Sequence, residues 1–397
     1  MSTASEDVQD LRVARTTPHA DVFKAGRRAA RLTRTVDGVR FAYLPEYLAT
    51  ATAPVATTLP LVAAPTLTRA GAVPAFFAGL LPEGPRLSDL AHAVGTSRDD
   101  ELSLLLAVGS DLVGDVQVVP GGARPGRSTA LMAVAQYSDV DFRAYRAGTG
   151  VVDRAGLPGV QDKASAGTGR HLLKFEPAQY PGLVEAEAFF LAESRRAGIA
   201  TAGAEVVRDF AGRPGLLVER FDRPADGRRL AVEDGAQALG RYPADKYAVS
   251  AEEVVTALAD LCPARPVALQ TLFAQLVFAW LTGNGDVHAK NLSVLATPGG
   301  EWRVAPAYDL PSTLPYGDHT MALRLQGKES GLSRRTFLAF AKEIGLPERA
   351  AVRILDALLA ATSDLYDRLV AAAPPFTVRQ LNDLRRALRD RRRSLSG

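Results

Sequence analysis

Three polar residues of this chain stand at spacings that suit phosphoryl transfer: Asp286, Asn291 and Asp309. The first two lie in Thr282-Gly283-Asn284-Gly285-Asp286-Val287-His288-Ala289-Lys290-Asn291, with four residues between them. At that spacing a carboxylate can accept the proton of an attacking hydroxyl while an amide oxygen helps hold Mg²⁺. Asp309, in Ala305-Pro306-Ala307-Tyr308-Asp309-Leu310, follows the next strand, where the principal Mg²⁺ ligand belongs. Mg²⁺ takes few protein carboxylates and completes its shell with phosphate oxygens and water, so one Asp and one Asn suffice. A Gly-Asn-Gly-Asp alone would be an ordinary turn, because Gly and Asn tolerate positive φ. What lies around it gives it weight.

The apolar run Leu272 to Leu281 predicts a buried helix before this loop, and Leu292 to Leu295 a short strand after it. A polar loop between two rigid elements is a usual place for catalytic residues. Upstream, His171-Leu172-Leu173-Lys174-Phe175 reads as a strand with one lysine in it. Burying that lysine requires a partner. Reaching ATP phosphates is one reason to do so; a solvent-facing edge strand is the alternative. A helix follows from Glu185 to Ala197. Glu187 in its first turn could pair with Lys174 or could simply complement the helix dipole. Ala204 to Phe210 and Leu216 to Phe221 predict a hairpin ending in Val218-Glu219-Arg220-Phe221-Asp222-Arg223. Beyond it the pattern turns helical. Ser250 with Glu253 forms a capping box, and helices are predicted over Val267–Leu281, Arg334–Ile344, Glu348–Ala372 and Val378–Leu395.

The N-terminal third has another character. Residues 1–20 are polar and are expected to be a disordered tail. Residues 21–125 read as a small α+β domain. Its strands are predicted over Val22–Ala25, Arg28–Thr35, Val39–Tyr43, Leu59–Ala63 and Val116–Val119, with a hairpin at Asp37-Gly38. The Gly/Pro/Arg-rich stretch Pro120 to Ser128 reads as a linker or exposed loop. The fold expected is therefore α+β: a strand-rich lobe over 150–225, a hinge, a mostly helical lobe over 226–397, and the extra domain in front.

Composition bounds the rest. Hydrophobic residues make up 47% and charged residues 23%, as in a globular chain. A net charge of +3 permits a nucleic-acid-bearing partner without requiring one. Six arginines crowd residues 385–393, a pattern that a solvated helix end explains first. The single cysteine, Cys262, excludes a disulfide frame and a cysteine metal site. The N-terminus has no apolar signal region and no run reaches membrane-spanning length, so a cytoplasmic protein without membrane contact is expected.

Six ordered motifs, from about Asp21 onward, resemble the HipA family of bacterial Ser/Thr kinases. They are Gly79-Leu80-Leu81-Pro82-Glu83-Gly84, Gly109-Ser110-Asp111-Leu112-Val113-Gly114, Pro158-Gly159-Val160-Gln161-Asp162-Lys163, Val218 to Arg223, Gly283 to Asn291, and Ala307-Tyr308-Asp309. The resemblance implies an ATP- and Mg²⁺-dependent protein kinase that halts growth as the toxin of a toxin–antitoxin pair. Aminoacyl-tRNA synthetases are among the family's targets. Its partner would be a small helix-turn-helix antitoxin, with DNA reached only through that partner. By the same resemblance Asp286 is the general base, and Asn291 and Asp309 bind Mg²⁺. Lys174 holds phosphates, and Pro158, Gly159, Val160, Gln161, Asp162 and Lys163 form the phosphate loop. Glu219, Arg220 and Phe221 frame adenine, and His288, Lys290 and Tyr308 line the nucleotide site.

One departure matters. Several family members carry a self-phosphorylated serine just before the phosphate-loop glycine. This chain has Gly156-Leu157-Pro158 there, so self-inactivation by that route is not expected. Two other readings fit parts of the pattern. The loop Gly285 to Asn291 also suits small-molecule phosphotransferases of the aminoglycoside or choline type, which need no domain like 21–125. A catalytically weak co-repressor would have no use for an intact Lys174, Asp286, Asn291 and Asp309.

Overall fold

A computed structural model describes residues 11–126 and 129–396. The N-terminal domain is an antiparallel sheet of β1 (His19–Lys24), β2 (Arg27–Thr35), β3 (Gly38–Tyr43), β4 (Thr66–Arg69) and β5 (Val116–Pro120), ordered β4-β3-β2-β1-β5. Helices α1 (Pro45–Leu48), α2 (Ala75–Ala78), α3 (Gly84–Val94) and α4 (Glu101–Val108) complete it. Val22, Leu32, Phe41, Phe77, Leu105 and Val118 form its core. The Asp37-Gly38 hairpin is present, joining β2 to β3. A Cβ on Gly38 would lie 1.9 Å from the Thr68 carbonyl oxygen, so only glycine lets β4 pair there.

Three expectations for this region need correction. Of the expected disordered tail, residues 1–10 lie outside the described residues, but 11–20 are ordered. Leu11 and Ala14 are buried, Ala14–Thr16 is a 3-10 turn, and His19 and Ala20 belong to β1. Leu59 to Ala63 is not a strand. Pro60 offers no N–H, and the Leu59 carbonyl accepts from Tyr43 Oη at 2.5 Å. The outer strand is β4, whose exposed Thr-Leu-Thr-Arg carries no apolar alternation. Part of the expected linker, Arg127 and Ser128, lies outside the described residues. The chain beyond it joins the next lobe well before residue 150: Met132 N–H donates to Ser165 O at 2.8 Å, and Phe142 packs on Phe175 with ring centroids 5.5 Å apart.

That lobe is the antiparallel sheet β6 (Lys163–Ala166), β7 (His171–Phe175), β8 (Ala204–Arg208) and β9 (Pro214–Glu219), ordered β6-β7-β9-β8. Helix α5 (Leu183–Arg196) packs on β8 and β9. The helical lobe is built around α8 (Arg265–Thr282), with α6 (Gly235–Ala238) and α7 (Ala251–Leu261) before it. After it come α9 (Arg334–Glu343), α10 (Glu348–Ala361), α11 (Leu365–Ala372) and α12 (Val378–Leu395). Leu272, Phe273, Leu276, Val277, Phe278 and Ala279 are all buried, so the C-terminal half of α8 is enclosed on nearly every side, as the end of a central helix must be. The helix expected over 348–372 is two helices. Thr362 Oγ1 donates back to Leu358 O at 2.7 Å, and Arg368 is drawn to Glu193 of α5 at 2.5 Å. A small sheet, β10 (Val232–Asp234), β11 (Ser293–Ala296) and β12 (Trp302–Val304), flanks the loop after α8. Among the described residues no helix is long and apolar enough to cross a membrane.

Candidate active site

Helix α8 ends where Gly283 takes φ +75°, the left-handed conformation that glycine adopts cheaply at a helix end. Its tip leads directly into residues 284–291. Asn284, fully buried, fixes this loop: its Oδ1 accepts from Asp286 N–H at 3.0 Å and its Nδ2 donates to Asp309 O at 3.3 Å. Asn284 thus ties the Asp286 turn to the segment carrying Asp309, which itself holds φ +55°. Positive φ is costly for a non-glycine residue and persists where surroundings enforce it.

Lys174 of β7 is buried, and its ammonium lies 2.6 Å from Glu187 Oε1 of α5 and 2.6 Å from Asp309 Oδ1. Burial opposes the charge on Lys174, but the two carboxylates outweigh it and raise its pKa. Burial works against an ionised Asp309 too, yet the Lys174 and Lys163 ammonium groups hold its carboxyl below the usual range. Asp286 has no such cation in contact. Burial, reinforced by the charge of Asp309, pushes its carboxyl up to about 6. Asn291 Nδ2 donates to Asp286 O at 2.8 Å, which leaves the amide oxygen for a ligand. Burial, with the Lys246 ammonium nearby, pushes His288 down to about 4, so its ring is neutral at pH 7.

A cavity of about 790 Å³ lies between the lobes, and every residue to which the family resemblance gave a site role lines it, while Glu187 stands behind Lys174. Pro158 to Lys163 form one wall, with Gly159 at φ +99° and Lys163 Nζ donating to Pro158 O at 2.8 Å. Burial and the charge of Lys174 bring the Lys163 amine down to about 7. Phe221 and Tyr308 meet with ring centroids 5.6 Å apart, and Tyr308 Oη donates to Lys290 O at 2.7 Å. Two residues play other parts than expected. The Arg220 guanidinium is turned away into a buried cluster, 3.2 Å from Asp111 and 3.4 Å from Asp222. Arg223 joins it, 3.1 Å from Asp111 and 2.6 Å from Asp222. The Lys290 ammonium is spent on Glu83 Oε1 at 2.6 Å and Gly79 O at 3.0 Å. The backbone N–H groups of Glu219 and Arg220 already bond Gly203 O and Arg170 O.

Four contributors escaped the sequence reading. Glu83, Lys246, Tyr247 and Asn284 all belong to the site or its support. Glu83 and Asn284 carried a sequence signal, as parts of the Gly79 to Gly84 and Gly283 to Asn291 motifs; Lys246 and Tyr247 carried none. Lys246 pairs with Glu83 Oε2 at 2.7 Å, and Tyr247 Oη reaches Asp286 Oδ1 at 3.4 Å. Residues 21–125 reach the site as well, since Gly79, Leu80, Glu83 and Pro85 form part of the cavity wall.

Residues 155–365 match the HipA-like C-terminal domain family and residues 20–119 the HipA N-terminal domain family. The chain belongs to the HipA family. A Sinorhizobium fredii relative named "Putative kinase Y4mE" is 33% identical over 87% of this chain and 93% of its own length. The serine/threonine-protein kinase toxin HipA of Shewanella oneidensis is 28% identical over 76% of this chain and 78% of that protein. The solved complex of Shewanella oneidensis HipA with HipB and operator DNA contains a chain that aligns at a TM-score of 0.72. That alignment is 23% identical and covers 94% of this chain and 96% of the other, a likeness of fold. The bilobal α+β plan with an additional N-terminal domain is thus the HipA fold.

Proposed function

We propose that this HipA-family chain is an ATP- and Mg²⁺-dependent serine/threonine protein kinase acting as a growth-arresting toxin on a cytoplasmic protein, an aminoacyl-tRNA synthetase being one candidate. The observation that carries the reading is the Glu187–Lys174–Asp309 ion chain, whose Lys174 and Asp309 face the same cavity as Asp286 and Asn291. Glu187 fixes Lys174 where it can meet nucleotide phosphates. Asp309 and the free amide oxygen of Asn291 form the donor set Mg²⁺ accepts next to phosphate oxygens. Among the described residues no group of three or more His, Cys, Asp or Glu side chains gathers as a metal cage. That suits a metal which arrives with its nucleotide and neutralises phosphate charge there. The phosphate loop supplies backbone N–H groups, Phe221 and Tyr308 an aromatic wall for the base, and Asp286 takes the acceptor's proton. The Shewanella oneidensis HipA structure holds HipB and DNA. By analogy, a helix-turn-helix antitoxin is this chain's proposed partner, and DNA is met through it. The participation of Glu83 and Gly79 in the cavity favours this reading over a small-molecule phosphotransferase, which has no counterpart of their domain.

Two expectations follow from these groups. ATP should bind only with Mg²⁺ or Mn²⁺ present, and Asp309→Ala should weaken Mg·ATP binding. Calorimetry showing equal ATP affinity in excess EDTA would refute the metal assignment. The second concerns pH. Asp286 must be ionised to accept a proton, and its carboxyl sits at about 6. Turnover per encounter should therefore fall tenfold per pH unit below that value and level off above it, because kcat/KM reports groups of the free enzyme. A limb near pH 4 would show that Asp286 is not the titrating base. The test of the whole reading is phosphoproteomics of cell extract treated with the wild type and with Asp286→Asn. Serine or threonine sites appearing only with the wild type name the target; identical phosphosites in both sink the proposal.

A further inference from the structure

The segment Pro82-Glu83-Gly84-Pro85-Arg86 leaves the N-terminal domain's apolar α2 turn and opens α3, with Pro85 near that helix's start. Within four residues it touches both working loops of the cavity. Glu83 accepts from Lys290 at 2.6 Å and from Lys246 at 2.7 Å. Lys290 immediately precedes Asn291. Lys246 precedes Tyr247, whose hydroxyl donates to Asp286, and the Lys246 carbonyl accepts from Ala289 N–H at 3.3 Å. One carboxylate therefore holds the catalytic loop by its own lysine and by the lysine of the strand of chain packed over it. Both lysines and Glu83 are largely withdrawn from solvent, with side-chain exposures of 5%, 7% and 14%. Such pairs are retained well when both partners are satisfied and cost heavily when one is removed.

Arg86 does the corresponding thing on the opposite wall. Its Nη1 donates to Leu157 O at 2.7 Å, at the root of the phosphate loop. Gly84, at φ +59°, lies under Val160 at the loop's tip: a Cβ on Gly84 would come within 3.1 Å of Val160 Cγ1. We propose that Glu83 and Arg86 are positioning residues for phosphoryl transfer, Glu83 setting the catalytic loop and Arg86 the phosphate loop, so that the kinase site is assembled only when the N-terminal domain is seated. This rests on the kinase reading of the cavity. Neither residue touches the reacting atoms; each acts through a loop. A partner that shifts this segment would change two walls of the cavity at once.

The test uses the full chain with Glu83→Gln, which keeps shape and removes charge, and Arg86→Met, which keeps the aliphatic stem. Hydrogen exchange is followed without nucleotide over residues 157–163 and 283–291, and ADP formation from Mg·ATP is measured in parallel. Glu83→Gln should speed exchange in 283–291 and leave 157–163 alone; Arg86→Met should do the reverse. In turnover the two should split: Glu83→Gln lowers kcat about tenfold with KM for ATP within about twofold, and Arg86→Met raises KM about tenfold with kcat little changed, because small misplacements of reacting groups cost such factors. Unchanged exchange in both loops overturns the proposal, as does a parallel fall of kcat and rise of KM in both variants with an equal loss of melting temperature. Should the wild type form no ADP, the kinase reading fails and the exchange arm alone decides the proposal.

Discussion

Asp286→Asn is expected to lose turnover by about 10²–10⁴-fold while binding Mg·ATP almost as tightly as the wild type. The reason lies in when the residue acts. A general base interacts with its proton chiefly in the transition state, so removing it lowers kcat without loosening the ground state. The loop itself is held by Asn284, by Gly283 at its left-handed φ and by Asn291 donating to the Asp286 carbonyl, a backbone atom that the substitution keeps. Single-turnover phosphoryl transfer gives the rate and calorimetry the affinity. A variant that turns over within tenfold of the wild type would remove Asp286 from the mechanism. One that loses binding and turnover together would make it a structural residue.

Lys174→Met should have the largest effect on stability. It leaves Glu187 buried without its ion-pair partner and Asp309 with Lys163 as the remaining nearby ammonium. Breaking a buried pair in this way costs about 3–5 kcal/mol. The pH dependence has a definite sign. In the wild type the Asp309 carboxyl lies below its ordinary value of 3.8, so its contribution is present above that value and is lost as pH falls through the lowered one. Burial already holds the Glu187 carboxyl above its ordinary value in the wild type, against the pull of Lys174. Without Lys174 it rises further and Asp309 loses its largest lowering influence, so protonation relieves the variant. The stability gap between wild type and variant should therefore narrow from about pH 8 to about pH 5. Denaturation followed by Trp280 and Trp302 fluorescence measures it. A gap that is constant or widens toward acid would show that the three side chains do not share charge as described. ATP binding should also be lost in the variant, through the missing phosphate contact.

The parts of this molecule that could be read from sequence are those written in local pattern. The mostly apolar second half of α8, the glycine that ends it and the fixed interval from Asp286 to Asn291 are contiguous. The lysine in β7 stands out because its neighbours are apolar, and the hairpin at Asp37-Gly38 because two residues specify it. What stayed hidden depends on pairing across the chain. Glu83 meets Lys290 and Lys246, 207 and 163 positions away, and nothing near either lysine announces a partner. Arg220 looked like a nucleotide residue because it lies in the hinge motif, but its charge is spent on Asp111, 109 positions earlier. The edge strand β4 was missed for the opposite reason: exposed on both faces, it has no burial pattern to show. Leu59 is apolar because it is buried in the domain core at a bend, while Pro60, Val62 and Ala63 beyond it are exposed, and composition alone does not separate that from a strand.

The buried Asp111–Arg220–Asp222–Arg223 cluster bears on how the molecule can move. The chain between the two lobes is the natural pivot for opening a nucleotide cleft. Here that pivot is bolted to a third body: Asp111 belongs to the N-terminal domain, and Gly114 of the same domain donates to Asp222 Oδ2 at 2.8 Å. Swinging one lobe away from the other would drag these charges apart, at about 3–5 kcal/mol for each pair left incomplete. The proposed phosphate loop is held by hydrogen bonds rather than by a buried ion cluster: Arg86 to the Leu157 carbonyl at 2.7 Å, Gln161 to the Phe175 carbonyl at 3.1 Å and Lys163 to its own Pro158 carbonyl at 2.8 Å, with Gly159 left-handed between them. On the proposed kinase reading, entry and exit of a nucleotide would therefore be cheaper by lifting residues 158–163 than by parting the lobes, and the rate at which spent nucleotide leaves would be a property of six residues rather than of a whole-domain motion.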